Sequence, residues 1–129
     1  MARAKRIWAE ALGRWAELWV SVYLTLKGYQ ILDRRVRLPA CELDLVAKKG
    51  PWLCFIEVKA GRSRAQILTR FHPSYQNRLI RAAAQWRARR GYGTDQLMRF
   101  DVCGVVQGLW ICHWRAAFEG DHAFNTDLI

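Results

Sequence analysis

Long apolar runs are what this sequence most lacks. Charged residues recur through its first twenty positions and through the rest of the chain. No segment reads as a secretory leader or a spanning helix. A cytoplasmic protein with no membrane partner is the expectation, and an amphipathic membrane helix is the secondary reading of the N-terminal segment. Soft metal ligands are sparse. The four cysteines, Cys41, Cys54, Cys103 and Cys112, form no close pair, and the three histidines do not cluster. His113 beside Cys112 is too little for a zinc site, and His122 is a weak functional candidate near the C-terminal end. Buried free thiols are the expected state. Also absent are a Gly-rich phosphate loop, a G-x-S-x-G nucleophile turn and an H-E-x-x-H helix, so no motif points to those chemistries or to an organic cofactor. Acidic residues are in short supply, 11 against 21 Lys and Arg, for a formal net charge of +10. That imbalance favours a polyanionic partner, nucleic acid first and an anionic membrane surface second.

What is present suffices for one domain over residues 1–129, with the weakest patterning at 1–12 and 115–129. Apolar residues fill 52% of the chain and include seven Trp, enough for a core. A helix is predicted over 6–27, where Trp8, Leu12, Trp15, Trp19, Val22 and Leu26 recur at steps of three and four and make a stripe to bury. Gly28 is its expected C-cap. Glu17 is placed either to pair with Arg14 on the surface or to face the sheet as a carboxylate. Strands are predicted over 29–38, 42–48, 52–60, 99–106 and 109–114, with turns at Pro39, at Lys49-Gly50-Pro51 and at Gly108. A second helix spans 74–90, with Ser74 as its cap. Its polar side carries Gln76, Arg78 and Arg81, which with Arg62, Arg64 and Arg70 of a basic loop over 61–73 are the candidate nucleic-acid contacts. The run Arg34, Arg35, Arg37 is either a phosphate contact or a solvated edge. The order implies an α/β domain: a central mixed sheet of about five strands flanked by helices.

The chemistry concentrates between Cys41 and Ala60. Asp44 lies in one apolar strand, and Glu57 and Lys59 lie in the next. Burying unpaired charge is costly, so these groups need partners, solvent or a metal. Period-two alternation puts Glu57 and Lys59 on one face of a strand that is apolar on both faces, and the hairpin can return Asp44 alongside. Mg²⁺ takes oxygen ligands, often only one or two carboxylates, and keeps several waters. Asp44 and Glu57 meet that minimum, with Mn²⁺ as the alternative ion, and Lys59 can orient water or offset charge on a phosphate. Metal-dependent phosphodiester hydrolysis is the leading reading. A noncatalytic nucleic-acid-binding module is the other.

The segments GRWAE at 13–17, CELDLV at 41–46, FIEVK at 55–59, RLIRAA at 78–83 and RFDV at 99–102 resemble the YraN-type family of small bacterial proteins over residues 13–106. That family is grouped by fold with the restriction-endonuclease-like, PD-(D/E)XK superfamily and is similar to Holliday junction resolvases. The resemblance implies a restriction-endonuclease-like core, with Glu17, Asp44, Glu57 and Lys59 as the catalytic set, and Glu42 as a supporting acid. It implies a DNA endonuclease, with branched or structured DNA as the candidate substrate. Cutting opposing strands of a junction would require paired sites, hence a homodimer, for which the aromatic first helix is an available surface. Three positions depart from the family pattern. Cys41 replaces Gly, Ala60–Gly61 replaces Thr–Arg, and Tyr75 replaces a frequent Lys, with Gln76 retained.

Overall fold

The computed structural model describes residues 2–70 and 73–118. Helix α1 (Ala2–Leu26) leads into strands β1 (Gln30–Arg37), β2 (Glu42–Lys49) and β3 (Trp52–Gly61). After these come the short helix α2 (Arg64–Leu68), the helix α3 (Pro73–Arg89) and strands β4 (Met98–Val106) and β5 (Trp110–Phe118). The five strands form one sheet in the order β1-β2-β3-β4-β5. Only β3 and β4 run parallel, because α2 and α3 supply the crossover between them; the other neighbours are antiparallel. The mixed five-stranded sheet with helices on both faces is the predicted α/β architecture, and it is consistent with a restriction-endonuclease-like core.

Alternation along β3 assigns its two faces. Leu53 and Phe55 pack with Ile67, Leu79, Ala82, Ala83 and Trp86 beneath α2 and α3. Cys54, Ile56 and Val58 pack on the other face with Ala16, Val20 and Leu24 of α1. A strand covered on both faces loses its polar alternation, which is why β3 reads as an almost unbroken apolar run. Turns fall where residues tolerate a left-handed backbone: Gly28, Gly50 and Gly108 have φ of 91°, 56° and 74°, values that cost a glycine little.

The first helix buries a different face from the one its periodicity suggested. Trp8, Leu12, Trp15, Val22 and Leu26 of the expected stripe are exposed, as are Ile7 and Leu18. The sheet is met instead by Ala16, Val20 and Leu24, spaced four apart, and small side chains let a helix axis approach the sheet closely. Residues 2–12 are exposed throughout. Trp15 and Trp19 stack with 6.5 Å between ring centroids, and their indole N–H groups donate to Gly108 O at 2.9 Å and Leu109 O at 2.8 Å, fastening α1 to the β4–β5 turn.

Three further expectations are corrected. The basic stretch after β3 is not wholly irregular, because α2 forms there with Ser63 as its N-cap, its hydroxyl accepting from Gln66 N at 3.1 Å. Helix α3 begins at Pro73, so Ser74 lies inside its first turn rather than at its cap; proline suits that first position, where no N–H is needed. Strand β5 runs on to Phe118, past the predicted end at residue 114. His122 falls outside the described residues. All four cysteines are free, Cys54 and Cys103 fully buried. No described helix is long and apolar enough to cross a membrane.

The sheet also carries a buried acid away from the predicted site. Asp101 is 0% exposed. Arg99 clasps it with Nε at 2.9 Å and Nη2 at 2.8 Å, His113 Nε2 lies 2.8 Å away, and Ala116 N donates at 3.0 Å. Arg99 Nη2 also donates to Tyr29 OH at 2.6 Å. Burial alone would raise the Asp101 pKa, but the hydrogen bonds from His113 and Arg99 hold it below its ordinary value. Both Asp101 oxygens are committed within the network, which ties β4 and β5 to Tyr29 at the entry to β1.

Candidate functional site

The β2–β3 ladder pairs Lys49 with Trp52 and continues to Leu45 with Ile56, where it stops. Asp44 and Glu57 are the next positions in register, at the point where the two strands part. The Val58 N–H donates to Asp44 Oδ2 at 2.9 Å, so the acid itself closes the end of the ladder. Asp44 alternates with Val46, and Glu57 with Leu53 and Phe55, so both carboxyls face the α3 side. Lys59 follows one alternation later, with Nζ 3.2 Å from Glu57 Oε2.

Helix α3 adds a residue that the sequence marks only as a departure from the family pattern. Tyr75, in its first turn, donates its hydroxyl to the same Glu57 Oε2. The Tyr75 ring receives the Lys59 ammonium 5.1 Å from its centroid and the Arg78 guanidinium 5.2 Å away. A contact between residues 18 apart through a helix crossing has no local sequence signal. Burial, then the charge of Glu57, raises the Tyr75 phenol above its ordinary value, so it stays a neutral donor. A narrow, mainly apolar cleft lined by Leu43, Phe55, Ile56, Leu79, Phe100 and Phe118 abuts the two acids.

The electrostatics of the pair are uncomfortable. Burial comes first, then the charge of the adjacent Glu57; together they push Asp44 up to about 8, against the pull of the Val58 N–H and Lys59. A buried and a half-buried carboxyl side by side hold one proton between them more readily than none. With both ionised, Glu57 Oε1 is buried and has no hydrogen-bond donor among the described residues. A cation at that oxygen and at Asp44 would relieve both costs, so the residues present fit a divalent ion. Among the described residues no group of three or more His, Cys, Asp or Glu could hold a metal. Two carboxylates match Mg²⁺, which keeps much of its water, better than they match a closed zinc site.

The other predicted residues are distributed around this centre. Glu17 comes from α1 and pairs with Arg35 Nε at 2.8 Å, not with Arg14. Its pKa is raised by burial and then by the charge of Asp44, with Arg35 opposing, so it borders the pair electrostatically. Glu42 is exposed and 3.9 Å from Arg37 Nη2, at the rim. Arg62, Arg64, Arg70, Arg78 and Arg81 are exposed. Arg70 Nη1 donates to Ala60 O at 2.8 Å, just beyond Lys59, and Arg64 lies over the Trp114 ring. Gln76 does not join them: it is 1% exposed and cannot meet a strand at the surface. It lies three and seven residues before Leu79 and Ala83, on the helix side that enters the core.

Comparison with known proteins agrees with the extent of these motifs. The profile of the Uncharacterised protein family UPF0102 matches residues 16–105. A UPF0102 protein of Maricaulis maris (strain MCS10) is 48% identical over 124 residues, covering 95% of this chain and 97% of its own. One of Parvibaculum lavamentivorans is 40% identical over 114 residues, covering 86% and 84%. One of Anaeromyxobacter dehalogenans (strain 2CP-C) is 38% identical over 117 residues, covering 87% of each chain. The matched span runs from the buried part of α1 to the end of β4 and takes in Glu17, Asp44, Glu57, Lys59 and Tyr75; on this ground the chain belongs to the UPF0102 family.

Proposed function

We infer that this protein is a DNA endonuclease that hydrolyses phosphodiester bonds with the help of Mg²⁺ or Mn²⁺, acting on branched or otherwise structured DNA. The observation that carries the reading is the meeting of Asp44 and Glu57 at the parted strand ends, with Lys59 one alternation further on the same face. Asp44 and Glu57 would hold the cation, which when bound supplies Lewis acidity toward a phosphate oxygen and offsets the two negative charges. Lys59, steadied by Glu57 and by the Tyr75 ring, offers N–H donors to a phosphate oxygen or to the attacking water. Glu17 adds a carboxylate at the border of the site. The apolar lining beside the acids lowers the local dielectric and so strengthens each of these interactions. Exposed Arg62, Arg64, Arg70, Arg78 and Arg81 suit the phosphate backbone and carry no base specificity by themselves. Cutting opposing strands of a four-way junction takes two copies of the site, so for that substrate the proposal includes a homodimer.

The test is cleavage of linear, nicked, flapped and four-way-junction DNA in Mg²⁺, Mn²⁺ and EDTA. Asp44→Asn and Glu57→Gln should abolish cleavage and leave DNA binding in place. Lys59→Ala should lower the bound-state rate far more than the affinity, since one phosphate contact among many contributes little to binding. Cleavage that survives EDTA or both carboxylate variants overturns the assignment. A second reading, a noncatalytic DNA-binding protein on the same fold, is favoured by the Tyr75 hydroxyl, which already occupies a Glu57 oxygen. It expects binding that is indifferent to metal, and no cleavage of any substrate.

A further inference from the structure

On the α1 side of β1 lies a second concavity, of about 360 Å³, walled by Arg14, Glu17, Leu18, Arg34 and Arg35. Three guanidiniums and one carboxylate give its wall a formal charge of +2. Glu17 neutralises Arg35 through the 2.8 Å contact. The side chains of Arg14 and Arg34 have no hydrogen bond or ion pair among the described residues. Asp33 is the nearest acid along β1, but it is already committed: Oδ1 accepts from the Arg34 backbone N at 3.0 Å, and Oδ2 from Trp86 Nε1 and Arg90 Nη1, each at 3.1 Å. Like charges gathered around a hollow repel one another, and an anion removes that cost.

The backbone supplies an independent sign. Arg35 has φ of +52°, a left-handed conformation that costs a residue with a Cβ about 1–2 kcal/mol. It sits between Arg34 and Val36, which pair with Leu45 and Leu43, and so faces Asp44 across the ladder by count. A regular strand residue there would need no such strain. The left-handed conformation carries the Arg35 side chain out of the ladder's alternation, to Glu17 and the hollow. Arg35 stands opposite Asp44 by that count and bonds Glu17, so the hollow lies just across β1 from the carboxylate pair.

We propose that the hollow walled by Arg14, Arg34 and Arg35 is an anion site that takes a backbone phosphate of the nucleic-acid strand, adjacent to the phosphate at Asp44 and Glu57. The choice of ligand rests on the DNA reading above; the place rests on this geometry. Guanidinium forks bind phosphate oxygens two at a time, and Arg35, already held by Glu17, gives the site its fixed side. Glu17 acts here as a positioning residue for Arg35.

The test is binding in EDTA, where no cleavage occurs and the carboxylate chemistry is silent. A fluorescein-labelled twelve-nucleotide oligothymidylate is titrated by anisotropy, with inorganic phosphate as competitor. Arg14→Gln with Arg34→Gln should weaken binding at least tenfold, and the slope of log affinity against log salt should fall by about 0.7 for each phosphate that is no longer neutralised. The control, Arg89→Gln with Arg115→Gln, removes the same charge from exposed positions elsewhere and should weaken binding less than threefold. All four arginines are exposed, so folding is not at stake. Millimolar inorganic phosphate should compete on the wild type and lose that effect in the Arg14/Arg34 variant. Equal losses in the two double variants overturn the proposal, as does phosphate competition that is undiminished in the Arg14/Arg34 variant. Neither result touches the nuclease reading, which falls only by the cleavage tests.

Discussion

Asp44→Asn should make the metal-free protein more stable at neutral pH, although it removes the residue most central to the proposed chemistry. The Asp44 carboxyl has an ordinary pKa of 3.8 and is pushed up to about 8 in the folded chain. The unfolded chain therefore releases this proton near pH 4, while the folded chain keeps it until about pH 8. Below pH 4 both states are protonated and the group carries no penalty. Between the two values stability falls by about 1.4 kcal/mol per pH unit, and above pH 8 the loss is complete. At pH 7 the wild type has lost on the order of a few kcal/mol relative to pH 4 from the proton that the pair shares. Asparagine carries no such burden. Its carbonyl can accept from the Val58 N–H, and its amide can donate to the unpaired Glu57 Oε1. Thermal or urea unfolding of both proteins in EDTA from pH 4 to pH 8 measures the difference. The gap should widen with pH, reaching several kcal/mol and a Tm difference of roughly 10 °C. Millimolar Mg²⁺ or Mn²⁺ should then raise the wild-type Tm at pH 7.5 and leave the variant unmoved. Stability curves that run parallel across this pH range would refute the account of two crowded carboxyls.

Tyr75→Phe keeps the ring beneath Lys59 but frees Glu57 Oε2 of a donor, and a hydrogen bond to a charged group contributes about 1.5–3 kcal/mol; calorimetry should show Mn²⁺ binding tightened about tenfold or more, and unchanged or weaker binding would show that the hydroxyl does not compete with a cation. Asp101→Asn leaves Arg99 buried opposite a neutral partner, and urea unfolding should show a loss of about 3–5 kcal/mol, whereas a loss under 1 kcal/mol would mean that the network is not held by charge. Leu24→Ala should cost about 2–5 kcal/mol, while Val22→Thr two positions earlier should stay within about 0.5 kcal/mol; equal costs would contradict the face that α1 buries.

The hairpin was legible because its signals are local. Lys49-Gly50-Pro51 breaks the chain once, alternation sets Glu57 and Lys59 on one face, and the turn can bring Asp44 alongside; the register that puts Asp44 opposite Glu57 came from the structure. The short helix α2 had a signal too: Ser63 and Gln66 are spaced as a capping pair, and the Ser63 hydroxyl accepts from Gln66 N while Gln66 Oε1 reaches back to Arg62 N, one residue before the cap, at 2.6 Å. The buried face of α1 had none. Periodicity measures how unlike two sides of a helix are, not which side the sheet will take, and here close approach through Ala16 and Val20 won over the bulk of Trp8 and Leu12. The same holds for Glu17, whose partner proved to be Arg35 on another element rather than Arg14 one turn away. Tyr75 and Arg35 reach the site through tertiary crossings, which spacing along a chain does not record.

The bond from the Val58 N–H to Asp44 also makes that amide a gauge of the site. Its proton points at the carboxyl whose charge changes when a proton, a cation or a substrate arrives. In an amide-resolved NMR spectrum the Val58 peak should move with pH and again on adding Mg²⁺. Its neighbours Ile56 and Phe55, bonded within the sheet, should hold still. One backbone position thus carries a running record of what reaches the two acids, with no probe group attached and no reaction needed.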